Sequence, residues 1–350
     1  HWITLNEPGC CSNLGYGKGG KFAPGFQEGS ALGEGWQEYR CMHNMLLSHG
    51  EAVKVYREEF KAKQDGKIGI AFNAQWKRAK DLGKSEDVAA ARRAMEFELG
   101  WCCGPIYHGD YPQSMKDNCK ERLPKFTPEE KKMLADSLDF FGVNNYFSGL
   151  ALNLVSAKQQ GFKFDHKGFD DDQAAYTVGD EGWEKTDFDW GICPWGFRDL
   201  LCYIQEKFKP RGGIFITENG CAYERVQSAE YDEQEGVLVP KPYDPEAGVA
   251  EDFDGETYED PDRVRFYKAH MAAVHAARAR GADIRGFFAW SFLDNFEWEE
   301  GYSKRFGIVR VDYPTQKRTI KRSGRFYSDV IRNGGFEAPP KAEQFPGLAW

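Results

Sequence analysis

Short apolar runs that stop abruptly at polar residues recur along this 350-residue chain. In one of them Ile214, Phe215 and Ile216 run into Thr217, Glu218 and a turn-forming Asn-Gly pair. Runs of this length and composition predict strands that are buried on both faces. They predict five strands, near residues 2–5, 67–72, 139–145, 213–217 and 284–290.

Helical periodicity occupies much of the sequence between these strands. Apolar residues such as Met42, Leu46 and Val53 recur at helical spacing and predict a long helix over 34–63. Further helices are predicted over 86–100, 128–138, 194–208, 262–280 and 321–332. The alternation of strands and helices predicts an α/β fold in which helices cover a parallel sheet.

Other segments lack a clear period. Residues 9–33 and 101–126 are predicted to be loops, residues 147–190 to be irregular, and residues 302–313 to form a hairpin. The acidic segment 222–261 is predicted to be a surface loop insert, and the Pro- and Gly-rich segment 333–350 a surface tail. Residues 1–350 are predicted to form a single domain.

Five parallel strands leave two alternatives for the architecture. A closed (β/α)8 barrel needs eight strands, whereas five strands alone leave two apolar edges open. The chain is therefore either a five-stranded doubly wound sheet or the last five β/α units of a barrel. In the second case, the first three units lie outside these residues.

Composition excludes several classes of partner. The net charge of −9 argues against nucleic acid and anionic membranes. The nine cysteines have no C-x-x-C spacing and the seven histidines no metal-ligand pattern, so neither a metal nor a cofactor is predicted. The odd number of cysteines and the absence of an Asn-x-Ser/Thr sequon favour free thiols and a cytoplasmic location, with a secretory route left open.

Two carboxylates stand at strand ends. Glu7 follows the strand at 2–5, and Glu218 ends the strand at 213–217. In parallel-stranded barrels, catalytic groups lie at this end of the strands. Facing carboxylates about 5–5.5 Å apart suit retaining glycoside hydrolysis, and a separation of roughly 6.5–9.5 Å suits inversion. The alternative for Glu218 alone is a strand cap or an ion pair with a nearby arginine.

Amide, aromatic and acidic residues near other strand ends fit a sugar site, because sugars offer hydroxyls to polar groups and C–H faces to rings. These residues are Asn144, Tyr146, Trp190, Trp290, Glu297 and Trp298. For each ring taken singly, packing in the core is the alternative. Glu297 lies between Phe296 and Trp298, and a carboxylate in such a run needs a polar partner.

In combination, six blocks resemble the family 1 glycoside hydrolases, the β-glucosidase group. They include Trp-Ile-Thr-Leu-Asn-Glu-Pro at 2–8, Ile-Thr-Glu-Asn-Gly at 216–220 and Arg-Gly-Phe-Phe-Ala-Trp-Ser-Phe-Leu-Asp-Asn-Phe-Glu-Trp at 285–298. The others lie at 14–25, 139–146 and 301–313. The resemblance implies a (β/α)8 TIM barrel that begins here at its fourth strand.

The resemblance also implies roles for individual residues. Glu7 matches the acid/base and Glu218 the nucleophile of a retaining β-glycosidase that uses double displacement. The residues that match sugar-binding positions are Asn6 at the 2-hydroxyl, Tyr146 on the nucleophile, Asn144 beside it, Trp290, Glu297 and Trp298 at the glycone, Trp190 at the aglycone and Phe306 near the 6-position.

The chain departs from this family in one large respect. Family members carry a Gln, an Arg and a His-Trp pair before the Asn-Glu-Pro strand, and these are not present here. We therefore expect a separate chain or further segment to supply the first three strands, and do not expect this chain alone to be a competent enzyme. The expected substrates are β-D-glucosides, galactosides or fucosides, with transglycosylation using the same residues. The alternative is a non-catalytic scaffold or binding subunit.

Overall fold

Strands and helices alternate along the computed structural model of the protein, which describes residues 1–17, 22–24, 35–161, 168–223, 230–232, 237–239 and 257–337. The strands are β1 (Trp2–Asn6), β2 (Ile68–Asn73), β3 (Trp76–Ala79), β4 (Phe140–Asn144), β5 (Ser148–Asn153), β6 (Ala175–Val178), β7 (Ile214–Asn219), β8 (Glu230–Asp232), β9 (Val237–Val239), β10 (Thr257–Tyr258), β11 (Ile284–Ala289), β12 (Val309–Val311) and β13 (Arg318–Lys321).

The α-helices are α1 (Pro8–Tyr16), α2 (Gln37–Val55), α3 (Lys61–Gln64), α4 (Ser85–Met95), α5 (Trp101–Tyr107), α6 (Gln113–Cys119), α7 (Pro128–Leu134), α8 (Leu154–Gln159), α9 (Phe169–Asp172), α10 (Pro194–Phe208), α11 (Pro261–Ala279) and α12 (Arg322–Asn333). π-helical turns at Tyr56–Phe60 and Glu96–Gly100 continue α2 and α4, and 3₁₀ turns lie at Lys120–Arg122 and Trp298–Glu300. None of the described helices is long and apolar enough to cross a membrane.

A five-stranded sheet in the order β1-β2-β4-β7-β11 organises the fold. All neighbouring strands in it are parallel. These are the five strands that the apolar runs predict, so the parallel α/β prediction is confirmed. β1 and β11 lie at opposite edges of the sheet. The edges carry exposed apolar side chains: Trp2 is 54% exposed, Ile3 46% and Phe288 56%.

The main core lies where α2 and α10 pack on this sheet. Ile70, Phe141 and Ile214 of the sheet are fully buried, in one cluster with Leu46 of α2 and Leu200 of α10. Burying side chains of this size stabilises the fold by about 1.5–3 kcal/mol each. The predicted helices over 34–63, 194–208, 262–280 and 321–332 are confirmed with small shifts at their ends.

Several segments predicted to be loops contain regular structure. α1 occupies the first part of 9–33, and α5 and α6 lie within 101–126. Pro105 lies inside α5. Because Pro and Gly are unfavourable inside helices, their presence makes this segment look like a loop in the sequence. α5 forms because Trp101 and Ile106 are buried in the core. The helix predicted over 128–138 ends at Leu134 but has the expected start, since Thr127 and Glu130 form a capping box.

The predictions of irregular structure at 147–190 and of a hairpin at 302–313 are wrong in detail. β5 and β6 pair with each other, and β3 joins β5 to give a three-stranded sheet. The hairpin instead joins β12 to β13, so it is connected through residues 312–317 and its second strand lies beyond residue 313. Most of the 222–261 insert and residues 338–350 of the tail lie outside the described residues. The nine cysteines are free thiols, as predicted.

Candidate active site

The polar C-terminal ends of β1, β4 and β7 lie close together, because the carboxyl ends of parallel strands are on the same side of the sheet. Glu7 lies between β1 and α1, with φ 49° and ψ 57° in the left-handed region. A residue with a Cβ pays about 1–2 kcal/mol for this conformation. Pro8 then starts α1 with the missing N–H that a helix tolerates at its first position. The sharp strand-to-helix turn places Glu7 directly at the C-terminal end of β1.

A β-bulge sets the position of Glu218. Val143 lies opposite Ile216 and Asn144 opposite Glu218, so β7 contains one extra residue, Thr217. In a regular strand, Thr217 and Glu218 would point to opposite faces. Here the Thr217 hydroxyl donates to Asn144 Oδ1 at 2.5 Å, on the same side as Glu218.

Asn144 connects the two carboxylates. Its Nδ2 donates to Glu7 Oε1 at 3.0 Å and to Asn6 Oδ1 at 3.1 Å. It also hydrogen-bonds to Glu218 and lowers the pKa of that carboxyl. β4 and β1 are two positions apart in the sheet, roughly 10 Å in a flat one. Direct contact between their side chains therefore means that the strand ends converge on a concave surface.

Glu218 is the carboxylate most perturbed by this environment. Its pKa is raised from 4.5 to about 7, mainly by burial and to a smaller extent by the negative charges of Glu7 and Glu297. Hydrogen bonds from Tyr146 and Asn144 act in the opposite direction. The Tyr146 hydroxyl donates to Glu218 Oε2 at 2.6 Å. Among the described residues, no cationic side chain is one of the main contributors to the pKa shift of Glu218.

Glu297 faces the same group of charges from the turn after β11. Burial raises its pKa, a hydrogen bond from Trp290 lowers it, and the charge of Glu7 raises it. Trp290 follows directly after β11. Trp298 begins a 3₁₀ turn and is 72% exposed, so among the described residues its ring is not packed into the site. Of these predicted residues, Trp290 and Glu297 hydrogen-bond to each other, and Glu297 interacts with Glu7. Trp298 is next to Glu297 in the sequence, but its ring is exposed.

Aromatic rings form one wall beside Tyr146. Its ring centroid lies 5.5 Å from that of Trp190 and 5.9 Å from that of Phe306. Phe306 is buried, and it also packs against Phe188 at 5.5 Å. Phe188 stacks on Trp190 at 4.6 Å. The structure therefore brings the predicted residues Tyr146, Trp190 and Phe306 together.

Sequence reasoning missed three residues of this site. Phe188 lies two positions before Trp190, and this i, i+2 spacing of two rings is the sequence pattern that could have indicated its place in the site. Thr217 gave no signal, because its contact depends on the bulge in β7. Cys10 hydrogen-bonds to Glu7, and burial together with that carboxylate raises the pKa of its thiol. Its place one helical turn after Glu7 is visible only once α1 is known.

The chain is similar to proteins of one family throughout its length. The model of glycosyl hydrolase family 1 matches residues 1–336. Beta-glucosidase 1B of Phanerodontia chrysosporium is 38% identical over 98% of this chain and 58% of its own length. Beta-glucosidase 4 of Oryza sativa subsp. japonica is 37% identical over 98% of this chain and 64% of its own.

Solved structures give the same result. The rice Os3BGlu6 β-glucosidase superposes with a TM-score of 0.78 at 31% identity, over 93% of this chain and 65% of that one. The chain thus spans less than two thirds of the length of these relatives. The two strand-end carboxylates, the parallel sheet and the sequence match all point to the same family. The chain belongs to glycosyl hydrolase family 1.

Proposed function

We propose that the complete protein is a retaining β-glycosidase acting on β-D-glucosides, in which Glu218 is the nucleophile and Glu7 the acid/base. The observation that carries this proposal is the link between the two strand-end carboxylates through Asn144. The names of the relatives support the substrate class, since both curated relatives are called β-glucosidases. A mutant of rice Os3BGlu6 has been solved in a covalent complex with Glc.

In the first proposed step, a Glu218 oxygen attacks the anomeric carbon and the glycosidic C–O bond breaks. Glu7 gives its proton to the leaving oxygen, which departs as the free alcohol. In the second step, Glu7 takes a proton from water while the water oxygen attacks the anomeric carbon. The ester bond to Glu218 then breaks, so the sugar leaves with its original configuration and both carboxyls return to their starting states.

The proposal assigns the remaining residues to sugar binding. Asn6 and Asn144 present amide groups beside the carboxylates, and Glu297 and Trp290 lie next to each other across the site. Trp190 and Phe306 form an aromatic wall that suits the C–H face of a sugar or an apolar aglycone. Trp298 would join the glycone site by covering it from the exposed turn.

A nucleophile must be ionised, yet Glu218 has a pKa of about 7 in this structure. A nearby cation would favour the ionised form. The family resemblance places an Arg in the part of the protein before the Asn-Glu-Pro strand. We propose that a cation supplied by that part lowers the pKa of Glu218 in the complete enzyme.

The open edges of the sheet support a related proposal about architecture. β1 and β11 are the edge strands, and Trp2, Ile3 and Phe288 are exposed there. Exposed apolar edges are liable to pair with other chains. We propose that three further strands, from a segment or chain outside these 350 residues, join β1 to β11 and close an eight-stranded barrel.

Azide rescue of an acid/base variant tests the catalytic roles. The assembled protein should hydrolyse an aryl β-glucoside, and Glu7→Ala should slow the second step because no base activates water. Azide needs no base, so it should restore turnover of Glu7→Ala and yield a β-glycosyl azide. Glu218→Ala should not give that product. Absence of hydrolysis by the assembled wild type would favour the alternative of a non-catalytic scaffold or binding subunit, for which the open edges are the supporting observation.

A further inference from the structure

A buried carboxylate lies outside the group of residues assigned to chemistry. The Asp294 side chain has no exposed surface and accepts from two cationic side chains. Lys321 Nζ donates to its Oδ1 at 2.9 Å, and Arg305 NH1 donates to its Oδ2 at 2.9 Å. The Lys321 side chain is also fully buried, and that of Arg305 is 15% exposed. Removing the carboxylate would leave a buried ammonium ion without this partner.

The same carboxylate also accepts from two backbone groups. Gly307 N donates to Oδ1 at 3.0 Å, and Val311 N donates to Oδ2 at 3.3 Å. Position 307 requires glycine, because a Cβ there would lie 2.1 Å from Asp294 N. Asp294 thus joins three segments of chain: its own, the 305–311 segment, and the end of β13 at Lys321.

Two of these segments carry predicted sugar-binding residues. Glu297 follows Asp294 by three positions, and Phe306 lies between Arg305 and Gly307, which both donate to Asp294. Arg263 extends the network, since its NH2 donates to Arg305 O at 2.8 Å and to Tyr223 O at 2.9 Å. Tyr223 belongs to the segment that follows Glu218 along the chain. One connected set of hydrogen bonds therefore reaches from the segment after β7 to the turn after β11.

We propose that Asp294 is a positioning residue that fixes the turn carrying Glu297 and Trp298 relative to Phe306. It acts through Lys321, Arg305 and the two backbone N–H groups, and it does not touch the sugar. An amide cannot replace this carboxylate, because the side chain of Asn has only one acceptor oxygen. In Asp294→Asn, the amide NH2 group would face two of the four groups that donate to Asp294 in wild type. The inference rests on the proposed function only for its statement that this turn binds sugar.

Hydrogen exchange of the full chain tests this inference without requiring activity. In Asp294→Asn, the backbone amides of 291–311 should exchange at least tenfold faster than in wild type, while those of β2 and β4 keep their protection. Asp199→Asn is the matched control, since Asp199 is equally buried and pairs with Arg198 on α10. The control should not accelerate exchange at 291–311. Equal exchange patterns in the two variants would overturn the proposal.

A second variant covers the case in which Asp294→Asn does not fold. Lys321→Met removes one cation but keeps the carboxylate on Arg305, so the same amides should exchange faster by a smaller factor. Unchanged exchange there would also contradict the inference. In the assembled enzyme, Asp294→Asn should raise KM for a β-glucoside about tenfold and leave the midpoints of the pH profile unchanged. If wild type shows no hydrolysis but the exchange result holds, the proposed function fails and the positioning role of Asp294 stands.

Discussion

The hydroxyl of Tyr146 donates a 2.6 Å hydrogen bond to Oε2 of Glu218. Tyr146 lies two residues beyond the end of β4, and Glu218 is the last-but-one residue of β7, its neighbour in the sheet. The hydrogen bond favours the ionised form of a carboxyl that burial and two other carboxylates push towards protonation. It also fixes the position of one oxygen of Glu218.

Loss of this donor should weaken the enzyme through Glu218. Tyr146→Phe removes a hydrogen bond to a carboxylate, a contact that contributes about 1.5–3 kcal/mol. We expect the pKa of Glu218 to rise further and kcat/KM of the assembled enzyme to fall about 10- to 100-fold at neutral pH. Tyr107→Phe, at a half-buried ring that packs on Phe208, is the control and should retain activity. Equal activity of Tyr146→Phe and wild type would exclude this role.

The raised pKa of Glu218 also predicts how stability depends on pH. Between pH 4.5 and about 7 the native chain holds a proton on Glu218 that the unfolded chain has released. The free energy of unfolding should therefore fall as pH rises through this window, by about 3 kcal/mol in total from this group. Below pH 4.5 both states are protonated and this contribution to the pH dependence disappears.

Urea unfolding at about pH 5 and about pH 8 measures this effect. Glu218→Gln should be less sensitive to pH than wild type by most of that amount, because the amide does not titrate. Glu51→Gln, at an exposed position on α2, should retain the wild-type dependence. If Glu218→Gln and wild type lose the same stability between the two pH values, burial does not raise the pKa of Glu218.

How far the sequence predicts this site depends on the range of the interactions involved. Glu7 and Glu218 could be found because each ends a run of apolar residues, which is a local pattern. The bulge at Thr217 could not, because it is a property of the pairing between β4 and β7. That bulge, however, decides that Thr217 and Glu218 both lie beside Asn144.

The same distinction explains the errors in the fold. β3, β5 and β6 are short strands whose pairing joins residues far apart in sequence, so no local period reveals them. Pro105 and nearby glycines make α5 resemble a loop, although burial of Trp101 stabilises it. For Trp298 the motif indicates a sugar contact, but its ring is exposed in the described structure.

The open sheet edges predict self-association of the chain when it is purified alone. Ile3 of β1 and Phe288 of β11 are exposed apolar residues on the two edge strands. The double variant Ile3→Lys/Phe288→Lys should reduce association in sedimentation velocity experiments. Ile331→Lys, at a 68% exposed apolar residue of α12, is the control and should leave association unchanged. A wild-type chain that stays monomeric at high concentration would argue against reactive edges.

Trapping of the glycosyl-enzyme intermediate tests the central claim most directly. A 2-fluoro-glucoside with a good leaving group should react with the assembled protein and stop at the ester, because the fluorine slows the second step. Peptide mass spectrometry should then find one sugar on Glu218, and no adduct in Glu218→Gln. A sugar attached elsewhere, or no adduct on protein whose sheet has been closed by the missing strands, would contradict the assignment of Glu218 as the nucleophile.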